Sequence, residues 1–243
     1  MTLKGVFVAG VLWVGMTCAV ANAGNSTREV KENATNRKIM HAYARCVVKM
    51  KRIQAGEAII SNSDNGTIMK RYSDLISSEC MAQTGGSVQM RFGGDLYRYA
   101  LADALVNSEF SAGGDSNFSN RLPLAHLLTG TQAELDAAVA KTKSKSKRAE
   151  LEEDFKKRFG VAWLSRYGEC VVRRDPVKAR LWLLTPPDGP EETSRITDLM
   201  PAFNECLGEG TLKFNRVTMR GTVAINYYRL AKATPQPLAG KTQ

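Results

Sequence analysis

Few residues of this chain have the types and the spacing that chemistry at an active site requires. The two histidines, His41 and His126, are 85 residues apart, and each is better explained as a surface or partly buried side chain than as a catalyst. The sequence has no motif of a zinc protease, a serine hydrolase, a phosphate-binding loop or a dinucleotide-binding fold. It also has no Cys-x-x-Cys pair and no ligand cluster at zinc spacing. We therefore predict no catalytic residue, no metal and no cofactor.

Carboxylates are the remaining candidates for acid and base chemistry. Asp74 and Asp198 occupy matching positions in two similar stretches of the chain, and so do Glu79 and Glu205. If the members of a pair faced one another, their repulsion would raise the pKa of one carboxyl, as in hydrolases that use two carboxylates. Helix surfaces carry such residues routinely, so a hydrolase is the least favoured of three hypotheses.

Positive charge is the clearer chemical signal. The formal net charge is +10. Arg220, a candidate anion-binding residue, lies just before a predicted helix, where a structural turn is the favoured interpretation. The other candidate anion-binding residues fall within eight positions and are Lys141, Lys143, Lys145, Lys147 and Arg148. No aromatic residue lies among these lysines, which argues against base stacking and against specific recognition of nucleic acid. A solvated linker with a polar helix face is the favoured interpretation of this run, and contact with an anionic envelope surface or polymer is the alternative.

The elements that would position these groups occur twice. The segment Tyr43-Ala44-Arg45-Cys46-Val47-Val48-Lys49 returns 124 positions later as Tyr167-Gly168-Glu169-Cys170-Val171-Val172-Arg173. Glu79-Cys80 returns as Glu205-Cys206, two residues later than that shift. Four cysteines allow three pairings, and duplication of a unit with two cysteines favours Cys46–Cys80 and Cys170–Cys206. Four buried free thiols are the alternative.

Apolar spacing predicts that both units are helical. One helical face carries Ile39, Tyr43, Cys46, Val47 and Met50, and its counterpart carries Trp163, Tyr167, Cys170 and Val171. We expect an all-α fold of two tandem, pseudo-equivalent helical repeats, each with about four helices and one internal disulfide. The expected organisation is a signal peptide (1–23), repeat 1 (30–107), a linker loop with a polar helix (108–160), repeat 2 (161–233) and a disordered tail (234–243).

The N-terminal segment predicts export. Lys4 is followed by an uncharged, largely apolar run from Gly5 to Val20, and Ala21-Asn22-Ala23 has the pattern of a signal cleavage site. The run is short for a transmembrane helix of about 20 residues, so we expect no membrane span after cleavage. An even number of cysteines in an exported chain favours disulfides, and the expected location is periplasmic or secreted.

Four short motifs in the second repeat resemble a group of uncharacterised exported helical proteins of alphaproteobacteria, especially sphingomonads. These motifs are Cys170-Val171-Val172, Asp175-Pro176, Glu205-Cys206-Leu207 and Met219-Arg220-Gly221. The first repeat lacks Asp-Pro and has Phe92-Gly93-Gly94 in place of Met-Arg-Gly. The resemblance implies a helical exported protein and brings no activity. Our leading hypothesis is thus an exported, non-catalytic protein with a binding or structural role and an unidentified partner, such as an envelope protein or an anionic polymer.

Overall fold

A computed structural model describes residues 23–84, 95–115, 117–126, 130–207 and 215–235, with the backbone alone for 23–34. The predicted signal peptide, apart from Ala23, and the predicted tail, apart from residues 234–235, lie outside these ranges. Regular structure within them is helical, which confirms the all-α prediction, and one isolated antiparallel bridge joins Arg121 to Pro235. No described helix has both the length and the apolar character that crossing a membrane requires.

Nine α-helices follow one another along the described residues. Their bounds are α1 Ala23–Ile60, α2 Asn65–Arg71, α3 Ser78–Gln83, α4 Leu96–Phe110, α5 Gln132–Lys141, α6 Lys145–Arg174, α7 Pro176–Leu184, α8 Glu192–Leu207 and α9 Arg216–Lys232, with a 3-10 turn at Ser73–Leu75. The range predicted as a linker, 108–160, holds the end of α4, all of α5 and the first half of α6. Helix α6 then continues without interruption into the range predicted as the second repeat.

The boundary between α6 and α7 follows from local chemistry. The Asp175 side chain accepts a hydrogen bond of 2.9 Å from the Lys178 N–H, and Pro176 occupies the first helical position. The matching position in the first repeat is Lys51, where the backbone leaves the helical region (φ −131°, ψ 39°). Lacking the Asp-Pro pair, the first repeat keeps this break as a kink within α1.

The two predicted disulfides are confirmed. Cys46–Cys80 joins α1 to α3 and Cys170–Cys206 joins α6 to α8, with Cα separations of 5.6 and 5.8 Å. The first helix of each repeat also carries a corresponding tyrosine. Tyr43 donates a hydrogen bond to the Leu75 carbonyl, and Tyr167 donates one to the Phe203 carbonyl. Each acceptor lies shortly before the second cysteine of its repeat. The layout therefore agrees with two helical repeats that hold one disulfide each.

The centre of the protein is the contact between the last helix of each repeat. Helices α4 and α9 pack against one another, α1 covers α4, and α6 covers α9. Residues 220–230 of α9 are all buried. A Cβ atom at Gly221 would lie 2.0 Å from Cγ of Tyr99, and one at Gly168 would lie 2.4 Å from Cγ2 of Thr222. Because glycine has no side chain, Gly221 and Gly168 permit the close approach of α9 to α4 and α6.

The repeats differ in their third helical segment. Helix α8 is continuous and contains Pro201, whereas the first repeat divides the same stretch into α2, the 3-10 turn and α3. Ser77 accounts for the division, because its side chain caps α3 by accepting from the Cys80 N–H and its own N–H donates to the Tyr43 hydroxyl. Such bonds replace those of a continuous helix.

Candidate functional site

Most of the predicted anion-binding residues lie on a helical hairpin formed by α5 and the first half of α6. Thr131 and Glu134 close a capping box at the start of α5, with hydrogen bonds of 2.7 and 3.2 Å. Ser144 caps α6 by accepting from the Lys147 N–H. Helix α5 packs on α6 and on no other described helix to a comparable extent. The hairpin therefore stands out from the rest of the fold.

The turn of this hairpin gathers the predicted lysine run into one patch. We call the five residues the basic tip: Lys141, Lys143, Lys145, Lys147 and Arg148. All five are exposed, and among the described residues none of them forms an ion pair with a carboxylate. Their charges are thus available to an external anion.

Arg220 is in a different environment from the basic tip. It is 3% exposed, and its guanidinium forms ion pairs with Asp103 on α4 at 2.8 Å and with Glu192 on α8 at 3.1 Å. It also donates to the carbonyls of Trp182, Leu183 and Thr185, which end α7. All five N–H groups of the guanidinium are engaged. Arg220 therefore has the geometry of a buried clamp between helices, with no N–H group free for an external anion.

His41 extends this buried cluster into α1. Its Nδ1 atom lies 3.2 Å from Oδ2 of Asp103, and the imidazole is almost fully buried. At the rim, Arg37 forms a two-pronged ion pair with Asp188, which holds the pKa of that carboxyl below its ordinary value. The adjoining cavity has a volume of about 20 Å³, which suits one water molecule and no organic substrate.

His126 forms a second polar cluster with residues of α6. Its Nε2 atom lies 2.6 Å from Oε2 of Glu169, and its Nδ1 atom lies 2.8 Å from Oγ of Ser165. Glu169 also accepts from the Leu124 N–H at 3.1 Å and from Arg173 at 2.8 Å. Burial alone would raise the pKa of Glu169, but these hydrogen bonds from His126, Leu124 and Arg173 hold it below its ordinary value.

The second cluster contains Ser, His and Glu, the residue types of a serine-hydrolase triad. Its contacts, however, hold two parts of the chain together. Ser165 lines a cavity of about 20 Å³, too small for a substrate. Arg173 neutralises Glu169 and donates to the carbonyls of Phe118, Arg121 and Leu122. The cluster thus fastens the connecting segment 118–126 onto α6.

The matched carboxylates of the hydrolase hypothesis do not meet in pairs. Asp74, Asp198, Glu79 and Glu205 are all exposed. The 3-10 turn that carries Asp74 packs on α1 and α2, whereas α8, which carries Asp198 and Glu205, packs on α6 and α7. Glu205 instead pairs with Arg174 at 3.0 Å. Across the described ranges, no three His, Cys, Asp or Glu side chains converge as a metal site.

Sequence reasoning did not identify either buried cluster. Their members are distant in sequence, with 117 positions between Arg220 and Asp103 and 43 between His126 and Glu169. The one local signal was the spacing of Ser165, Glu169 and Arg173 at successive turns of a helix, which marks a polar stripe on an otherwise apolar face.

Comparisons with known proteins do not connect this chain to a family. No family model matches it, no curated protein matches it, and no solved structure matches it.

Proposed function

We propose that this protein is an exported, non-catalytic helical binding protein, and that the basic tip of the α5–α6 hairpin is the part that contacts an anionic partner. The observation that carries the proposal is the group of five exposed positive charges, without carboxylate partners among the described residues, at the end of a protruding hairpin. The two buried clusters around Arg220 and Glu169 are engaged in holding parts of the fold together.

The form of the tip favours a polymer or a surface over a small anion. Four of the five residues are lysines, which act as flexible point charges and do not build a rigid two-pronged pocket. Such a patch gains affinity by neutralising closely spaced charges and releasing their counterions. The nearest aromatic residue along α6 is Phe155, which is two turns beyond Arg148, so base stacking does not contribute. An anionic envelope polymer, such as lipopolysaccharide, fits this chemistry.

Location outside the cytoplasm is part of the same proposal. Two disulfides in a small chain favour a non-reducing compartment. The signal-like segment at 1–23 and the resemblance to exported sphingomonad proteins support the periplasm or the exterior of the cell.

Binding measured against salt tests the proposal. The chain from residue 24 onward would be titrated into lipopolysaccharide and into a fluorescent single-stranded oligonucleotide that serves as a generic polyanion. If all five charges engage the oligonucleotide, log K should fall against log salt with a slope of about −3.5. Changing all five tip residues to glutamine should remove most of this slope.

A matched control variant distinguishes the effect of the tip residues on binding from the effect of a lower net charge. The control variant changes five exposed basic residues elsewhere to glutamine: Lys38, Lys49, Arg52, Lys70 and Arg166. It should keep the wild-type affinity to within a few fold, although its net charge equals that of the tip variant. Equal losses in the two variants, or no binding by the wild-type chain, would contradict the proposal.

A further inference from the structure

An apolar groove runs along the hairpin below the basic tip and is left uncovered by the described residues. Its apolar lining is Leu135 and Val139 from α5, with Phe155 and Phe159 from α6, and its volume is about 450 Å³. The two phenylalanine rings stack with centroids 6.3 Å apart, and Phe159 is 52% exposed. An open groove of this kind marks a binding surface more often than a feature of an isolated monomer.

The charges around Phe155 suggest what covers the groove. From Leu151 to Phe159, α6 reads Leu-Glu-Glu-Asp-Phe-Lys-Lys-Arg-Phe, so three acids precede Phe155 and three bases follow it. In an antiparallel pair of such helices related by a two-fold axis at Phe155, the acids of each helix lie beside the bases of the other. The segment is therefore complementary to itself.

Four of these charges lie on the two flanks of Phe155. At about 100° per residue, Glu152 and Lys156 lie on one flank of Phe155, and Asp154 and Arg158 lie on the other. All four are exposed, and within the described part of the chain none of them forms an ion pair.

Glu153 and Lys157 lie on the opposite face of α6. There they pair with each other within the helix at 2.8 Å. Among the described residues, the four charges that flank Phe155 are thus the ones in this segment without an ion-pair partner.

We propose that two copies of this chain pair through the α5–α6 hairpin, antiparallel and about a two-fold axis at Phe155. Glu152 of one copy then meets Lys156 of the other, Asp154 meets Arg158, and each contact occurs twice, as a closed two-fold interface requires. The four helices bury both grooves in one small bundle. This inference is independent of the anionic partner, because the basic tip lies outside the central contacts.

Analytical ultracentrifugation of the disulfide-bonded chain from residue 24 onward tests the inference. The wild-type chain should show a concentration-dependent approach to twice the monomer mass. Two charge variants should each weaken self-association by more than about tenfold, because every cross-axis ion pair becomes a like-charge contact. The acidic variant is Lys156→Glu with Arg158→Glu, and the basic variant is Glu152→Lys with Asp154→Lys.

Mixing the two charge variants distinguishes ion pairs between two copies of the chain from ion pairs within a single helix. Spacing of four residues also allows Glu152 and Lys156 to pair within one helix, and that effect alone predicts no recovery on mixing. The dimer predicts that an equimolar mixture recovers the mass of a heterodimer. The back-face exchange, Glu153→Lys with Lys157→Glu, should dimerise like the wild type, and circular dichroism should show equal helix content in all variants.

The outcomes are decisive in either direction. A wild-type chain that stays monomeric at every concentration, charge variants that still form homodimers, or a mixture that stays monomeric would each overturn the proposal. Binding of lipid vesicles or a polyanion by a monomeric chain through Phe155 and Phe159 would also overturn it, since the groove would then serve another partner.

Discussion

Replacing Arg220 by methionine should cost about 3–5 kcal/mol of unfolding free energy, as is typical when one partner of a buried ion pair is removed. The change leaves Asp103 and Glu192 as buried carboxylates, each without its 2.8 or 3.1 Å guanidinium contact. It also removes the donors to the carbonyls that end α7, which adds to the loss. A domain has about 5–15 kcal/mol in total, so this one change removes a large part of the stability.

Urea denaturation monitored by circular dichroism, with both disulfides intact, measures this loss. The matched control is Arg216→Met on the same helix, because Arg216 is half-exposed and lies 3.7 Å from Glu192; it should cost less than about 1 kcal/mol. In the Arg220→Met background, Asp103→Asn and Glu192→Gln should recover part of the loss by removing the stranded charges. Equal stabilities of Arg220→Met and Arg216→Met would refute the clamp and reopen Arg220 as an anion ligand.

Three further changes probe other parts of the fold. Joint replacement of Cys46 and Cys80 by serine opens a loop with a sequence separation of 34. It should lower the free energy of unfolding by about 3–4 kcal/mol by the chain-entropy estimate. A loss below about 1 kcal/mol would show that this loop stays ordered without the disulfide. Gly221→Ala should destabilise the fold by about 1–3 kcal/mol because α4 leaves no room for a Cβ. Gly160→Ala should stabilise it by about 0.5–1 kcal/mol, because nothing lies within 4 Å of the added Cβ. Denaturation midpoints that do not move in opposite directions would contradict this packing. Because the folded-state pKa of Glu169 lies below the ordinary 4.5, its contribution to stability is present above pH 4.5 and is lost as the pH falls through the folded pKa. Glu169→Gln should therefore flatten the stability curve in that acid range, and an unchanged acid slope would contradict the assignment.

The fold was largely predictable because its determinants are local or repeated. Asp175-Pro176 and Thr131 with Glu134 each specify a helix start within four residues of chain, because they supply the capping groups of the helix that follows. The internal repeat selected the correct disulfides from three possible pairings. Met50 was expected on an apolar helical face, yet it is 43% exposed, because the backbone leaves the helical region at the next residue, Lys51.

The polar clusters could not be predicted because they depend on how helices meet. His41 and Asp103 come together through the packing of α1 on α4, and no periodicity in one sequence specifies that contact. The lysine run behaved differently. Its residues are neighbours in sequence, and the short non-helical connection between α5 and α6 is enough to gather them.

The position of α9 also constrains how the chain can reach its native state. This helix is enclosed on all sides by elements that precede it along the chain, so the surfaces of α4 and α6 that it covers stay open until it has been synthesised. A nascent chain that stalls before α9 would therefore leave these apolar surfaces of α4 and α6 exposed to chaperones and proteases.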